Sequence, residues 1–157
     1  MLTMRDIYYT DKIPALNAKF EAQKICFSPL CFQAARALLE LGILRKISDS
    51  GELGLCREEI AAQTGVSMYG AGLLAEIGLG MGVLKLVSPA QNGNSDGERF
   101  ILGKTGWFLL EDAMTAVNFN FVNDICYKGA FGLVDSIRAG KPAGLSVFGD
   151  AAQKLMD

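Results

Sequence analysis

The sequence predicts a mainly α-helical chain with one small β-hairpin. Three observations predict it. Apolar residues recur at helical spacing over most of the 157 residues. The period changes to alternation at Val83–Val87, and a second short apolar run stands at Arg99–Leu102. The stretch between them, Pro89 to Gly97, is dense in turn-forming residues.

The elements follow in order. Residues 1–13 are mixed in character and read as an arm. A short helix is expected from Pro14 to Ile25, with Leu16 and Phe20 four apart on one face. Ser28-Pro29 predicts a new helix start, because Ser can accept free N–H groups and Pro suits the first helical position. Leu30, Ala34, Ala37, Leu38 and Leu41 then form a buried stripe that Gly42 stops. Residues 48–55 read as a loop. Arg57 to Thr64 reads as a second helix, with Glu58 and Glu59 in the first turn, where the helix dipole favours carboxylates. Ser67 caps a third helix that runs to about Gly80, with Leu73, Leu74 and Ile77 as its apolar face. Three helices followed by a polar-tipped hairpin is the order of a winged helix-turn-helix. After a short helix at Lys104–Leu110, the rest is helical. Met114, Val117, Phe121 and Ile125 form one stripe, widened by Phe119, Val122 and Cys126. Phe131, Val134 and Ile137 mark a further helix closed by Gly140 and Pro142, and another helix begins after Gly149. The organisation read from this is an arm and short helix at 1–26, a winged-helix domain at 27–110, and a helical segment at 111–157.

Composition removes several function classes. The longest apolar runs fall short of the roughly 18 residues of a membrane span, and the start lacks a signal-peptide pattern. The net charge is −2 and there is no basic block, so neither nucleic acid nor an anionic membrane is expected as a partner. With 0 His, no imidazole base, Ser-His or Cys-His pair or His ligand is available. Cys26, Cys31, Cys56 and Cys126 form no C-x-x-C pair and read as small buried hydrophobes in a reducing cytoplasm. Counting Gly, apolar residues reach about 58 %, against roughly 45–50 % in ordinary domains, so apolar surface covered by a partner is expected.

Two motifs invite sharper readings. Leu74-Ala-Glu-Ile-Gly-Leu-Gly-Met-Gly82 resembles the cofactor loop of a Rossmann-type methyltransferase. That loop must lie between a strand and a helix, whereas this one follows a capped helix and precedes a strand. A Gly-rich helix end packed close to a neighbour is therefore expected. The Ser67–Gly80 helix would be the DNA reader of a winged helix, yet Glu58 to Leu84 contains no Lys or Arg, and Ser88–Glu98 has none either. Glu58 and Glu59 are neighbours in sequence and do not face each other, so they are no acid/base pair, and Glu111-Asp112 reads as a solvated helix junction. The Phe119, Phe121, Tyr127 and Phe131 cluster reads as core or subunit interface. Phe119 and Phe121 lie about 200° apart around a helix, so one is expected to face its own chain and the other a partner. A homodimer interface is expected at Leu16, Phe20, Met114, Val117, Phe119, Phe121, Val122 and Ile125. No catalytic, cofactor-binding or metal residue is assigned.

Glu59-Ile-Ala-Ala-Gln-Thr-Gly-Val-Ser67, Tyr69, Leu73-Leu74 and Gly82-Val-Leu84 carry a resemblance, as does Leu102-Gly-Lys-Thr-Gly-Trp-Phe-Leu-Leu-Glu-Asp112. Together they resemble the N-terminal winged-helix dimerisation domain of bacterial S-adenosylmethionine-dependent methyltransferases of the O-methyltransferase type. Asp124-Ile-Cys-Tyr-Lys-Gly-Ala-Phe131 and Gly140-Lys-Pro-Ala-Gly-Leu-Ser-Val-Phe-Gly149 are similar to that family's helical connector. The resemblance spans roughly residues 14–150. Gly103 departs from it, standing where the family tends to have a capping Thr. The family's Rossmann domain, which holds the cofactor and the catalytic base, has no counterpart here, so a fragment or a stand-alone module is expected. The resemblance implies a non-catalytic dimerisation and substrate-capping role. It implies S-adenosylmethionine in the parent protein and none in this chain, and a C-terminal Rossmann domain as neighbour. A winged-helix transcriptional regulator binding DNA is the alternative, and a small cofactor-binding protein relying on Gly78–Gly82 the third reading.

Overall fold

The computed structural model describes residues 11–87 and 97–149. Most of the expected N-terminal arm, nearly all of the hairpin tip and the helix expected after Gly149 lie outside the described residues. The chain divides between Gly103 and Lys104 into two compact units.

In the first unit, α1 (Ala15–Glu40), α2 (Ile43–Asp49), α3 (Arg57–Thr64) and α4 (Met68–Gly80) precede β1 (Leu84–Leu86) and β2 (Phe100–Leu102). The strands are antiparallel, with Leu84 opposite Leu102 and Leu86 opposite Phe100. The hairpin is the expected one. A mainly helical chain with a small antiparallel sheet, in the winged-helix order, is what the sequence predicts. Leu55 adds a third extended piece, exchanging two backbone hydrogen bonds with Phe100 at 3.0 and 2.8 Å.

Four local features depart from the sequence reading. Ser28-Pro29 starts no helix, because α1 runs unbroken through both residues. The Ser28 hydroxyl donates back to the Lys24 carbonyl at 2.6 Å and caps nothing. Pro29 cannot donate to the Ile25 carbonyl, a loss tolerated where the helix faces water; Ile25 is exposed. The second is α2, for which the sequence predicts no helix; its Ile43, Leu44 and Ile47 are fully buried. Third, the 48–55 stretch is no plain loop. It contains the end of α2, a 3-10 turn at Gly51–Leu53 and the Leu55 bridge.

The fourth concerns which face of α4 is buried. The expected face is Leu73, Leu74 and Ile77. The buried residues are Ala71, Gly72, Ala75 and Gly78, while Leu73 is exposed and Leu74 and Ile77 are half-buried. Small side chains let α4 lie close to its neighbours. A Cβ at Gly78 would stand 2.9 Å from Leu84 Cδ1, so β1 seats directly on this position. Around it Leu38, Ile43, Leu44, Ile47, Ile60, Val83, Leu84 and Phe100 form the core of the unit. Leu30 and Leu41, expected in the α1 stripe, are exposed; Ala34 and Leu38 are buried.

Both helix starts in the turn are built as the sequence requires. Ser67 Oγ accepts the Gly70 N–H at 3.0 Å. At α3, Glu59 reaches back to accept the Cys56 N–H at 2.9 Å. Arg99 at the foot of β2 donates to the same carboxylate at 2.7 Å and to the Leu53 and Gly54 carbonyls at 2.9 and 2.8 Å. One guanidinium thus joins the sheet, the 3-10 turn and α3.

The second unit contains α5 (Lys104–Glu111), α6 (Ala113–Phe121) and α7 (Leu133–Ala139). The single helix expected over Met114–Tyr127 is corrected here. α6 ends at Phe121 and a π-helical turn follows at Val122–Cys126. An α-turn at Tyr127–Gly129 and a 3-10 turn at Ala130–Gly132 lead into α7, which Gly140 closes in the left-handed conformation. A last 3-10 turn covers Ala143–Phe148. Its Gly144 crosses Gly129 and Gly132 with backbone against backbone; a Cβ at Gly132 would lie 3.0 Å from Gly144 Cα.

The core sets two expectations. Leu38→Ala should cost about 2–5 kcal/mol in denaturant unfolding, and the half-buried Leu74→Ala clearly less. Equal losses would mean α4 turns its large residues inward. The Glu59 carboxyl is held below the usual carboxylate range by the Cys56 N–H and then by Arg99. A depressed folded-state value stabilises above the unfolded pKa, near 4.3, and this contribution is lost as pH falls through the folded value. Glu59→Gln should therefore lower stability at neutral pH and flatten its decline below about pH 4.5, measured by thermal melts across that range.

Candidate dimerisation surfaces

The first surface is the free end of α1. Leu16, Phe20, Gln23, Phe27, Leu30, Ala34 and Ala37 follow one another at alternating spacings of four and three. This is the spacing of a helix-pairing seam, in which each side chain fits between residues of a facing helix. Gln23 is the polar member of the series, and a single polar residue in such a seam fixes its register at some cost in stability. The seam has two different surroundings. At its C-terminal end Ala34 is buried and Ala37 half-buried in the core of the unit. Towards the N-terminus, Leu16 is 69 % and Phe20 65 % exposed, and Phe27 and Leu30 are exposed as well. Sequence reasoning placed Leu16 and Phe20 here but missed the seam, because the supposed helix start at Ser28 cut it in two.

The second surface belongs to the second unit. Asp112 caps α6, accepting the Thr115 N–H and hydroxyl at 2.7 and 2.8 Å, and these bonds hold its carboxyl below the usual range. Glu111-Asp112 is thus a built helix start. On α6 and the π-turn, Met114, Val117, Phe121, Val122 and Ile125 are exposed, and Phe119 is half-buried. The π-turn breaks the phase of the expected stripe, since its residues step around the axis at a different interval from those of α6. Further along, Phe131, Val134 and Ile137 are exposed, Phe131 at 85 %. Among the described residues 104–149 only Gly106 is fully buried. Among its described residues this helical unit has large apolar side chains and no buried core.

The glycine-rich segment does not fit a cofactor loop. Gly78 and Gly80 lie within α4, Gly78 packs against Leu84, and Gly82 makes the left-handed turn towards β1. The described residues contain no cluster of His, Cys, Asp and Glu able to hold a metal. Among them, no single helix is long and apolar enough to cross a membrane.

Residues 19–92 match the model of the Dimerisation2-like domain. No curated protein matches the chain. Among solved structures, the S-adenosylmethionine-dependent methyltransferase SibL in its apo form shares the fold, with a TM-score of 0.64 and 23 % identity over 81 % of this chain. Human N-acetylserotonin methyltransferase, solved with SAM, gives 0.62 and 18 % over 85 %. The chain spans about a third of each of these proteins, 35 % and 36 %.

Calorimetric titration with S-adenosylmethionine should show no micromolar site on this chain. A saturable site abolished by Gly80→Val would reverse the reading of Gly78–Gly82.

Proposed function

We propose that the chain is the dimerisation and substrate-capping part of an S-adenosylmethionine-dependent methyltransferase of the O-methyltransferase type. It works as a homodimer and carries no catalytic residue of its own. In the parent protein it lies N-terminal to a Rossmann domain that binds the cofactor and performs methyl transfer. The observation that carries this reading is the α1 seam, which is buried at one end and uncovered at the other. Burying Leu16, Phe20, Phe27 and Leu30 against a second copy gains about 1.5–3 kcal/mol per side chain before the costs of association. The coreless second unit supports it independently, because its Phe121, Val122 and Ile125 also need cover. The Dimerisation2-like match and the two methyltransferase folds favour the same reading.

Such an interface should bury more than roughly 2,000 Å² in total, with a two-fold axis bringing like surfaces together. Sedimentation equilibrium at tens of micromolar should give twice the chain mass of 16.9 kDa. Phe20→Asp and Phe121→Asp should each shift the chain towards monomer, because an unpaired carboxylate would be buried in the interface. A clean monomer of the unmodified chain would remove the proposal.

A further inference from the structure

We infer that the groove between α3 and α4 is a docking site for a partner polypeptide that presents a Lys or Arg beside an apolar side chain. The groove is an open cavity of about 300 Å³ whose lining includes Met68, Tyr69 and Leu73. These three are exposed, Tyr69 at 79 %. They stand outward because the small residues of α4 face the core. At its floor the aliphatic stem of Arg57 lies against Gly72; a Cβ there would be 3.4 Å from Arg57 Cδ.

The charge at the groove selects the partner. The Arg57 guanidinium lies 3.3 Å from Glu76 and 3.7 Å from Glu98. Two carboxylates share one cation, so one net negative charge remains beside the apolar wall. No other Lys or Arg occurs from Glu58 to Leu84 to offset it. A phosphate backbone would be repelled here, which excludes the ligand that winged helices commonly take on this helix. A second copy would also be disfavoured, since two-fold pairing of this groove with itself sets Glu76 and Glu98 against their own copies. A basic amphipathic segment satisfies both features: its apolar side chain fills the cavity between Tyr69 and Leu73, and its cation takes the carboxylate that Arg57 satisfies least. The inference is independent of α1 pairing.

Fluorescence anisotropy on the whole chain tests it, with a labelled amphipathic Leu/Lys helical peptide as probe and its Leu/Glu counterpart as comparison. The Leu/Lys peptide should bind saturably and weaken with salt, and the Leu/Glu peptide should not bind. Tyr69→Ala with Leu73→Ser should weaken binding by about tenfold or more, as loss of a central anchor does. Glu98→Gln should weaken it less and reduce its salt dependence. Phe131→Ser, on an exposed apolar residue elsewhere, should leave it unchanged. Circular dichroism of the double variant should be native, because both side chains are exposed, and its sedimentation should match that of the unmodified chain. Equal binding of the two peptides, equal affinity in the double variant, or equal weakening by Phe131→Ser would overturn the proposal. So would the absence of saturation up to about 1 mM.

Discussion

The close seating of α4 is the constraint from which the rest of the first unit follows. Ala71, Ala75 and Gly78 present almost no side chain, so α4 lies near α1 and β1 as a nearly bare helix. The bulk of the core comes from its neighbours: Leu38 from α1, Ile43, Leu44 and Ile47 from α2, Ile60 from α3, Leu84 and Phe100 from the hairpin. Gly78 lies directly against Leu84, and this makes the helix end of α4 the base on which β1 rests. The same arrangement has a consequence on the outside. A helix that turns its small residues inward must turn Met68, Tyr69 and Leu73 towards water. Solvated apolar side chains on a rigid helix are surface that a partner can cover at little ordering cost.

α1 and the second unit raise the matching problem at larger scale. α1 gains its anchorage from Ala34, Ala35 and Leu38 and extends about five turns N-terminal to them. An isolated helix of that length is marginal in water, and its surface ion pair, Lys24 with Glu21, adds only a few tenths of a kcal/mol. Its exposed Leu and Phe residues therefore weigh against it unless another helix covers them. Residues 104–149 stand in the same position, with caps and turns well made and no buried large side chain. Much of the exposed apolar surface lies in these two places.

Much of this was legible in the sequence, and the exceptions share a cause. The α3 and α4 boundaries, the Ser67 cap, the hairpin and the Gly140 stop were readable because each depends on residues within a few positions of it. The single run of α1 was not, because Ser28-Pro29 carries the local signature of a helix start while the surrounding apolar spacing favours continuation. Neither was the inward face of α4. Periodicity assigns the largest side chains to the core, but here close approach selected the smallest, and only the position of Leu84 shows why. The π-turn at Val122–Cys126 left no mark in a stripe that reads as regular. The interface residues were legible only as apolar positions without an evident home; exposure in the folded chain is what turns Leu16, Phe20, Met114, Val117, Phe121, Val122 and Ile125 into candidates.

The winged-helix order usually suggests nucleic acid, and the residues on this frame favour protein surfaces instead. Phosphate recognition requires cations on α4 and on the hairpin, with polar groups reaching base edges. α4 carries one charged residue, Glu76, and that carboxylate is engaged with Arg57. Arg99, the cation at the foot of β2, is committed to Glu59 and two backbone carbonyls. Both arginines therefore hold the frame together. What remains outward on α1 and α4 is largely apolar, and apolar surface discriminates among protein partners by shape and by the charges at its rim. On α1 the surface is a long seam, interrupted once by Gln23 and suited to another helix. On α4 it is a short cavity beside excess carboxylate, suited to a different and basic partner. On the two proposals made above, dimer pairing and partner docking fall on two helices that meet in one core.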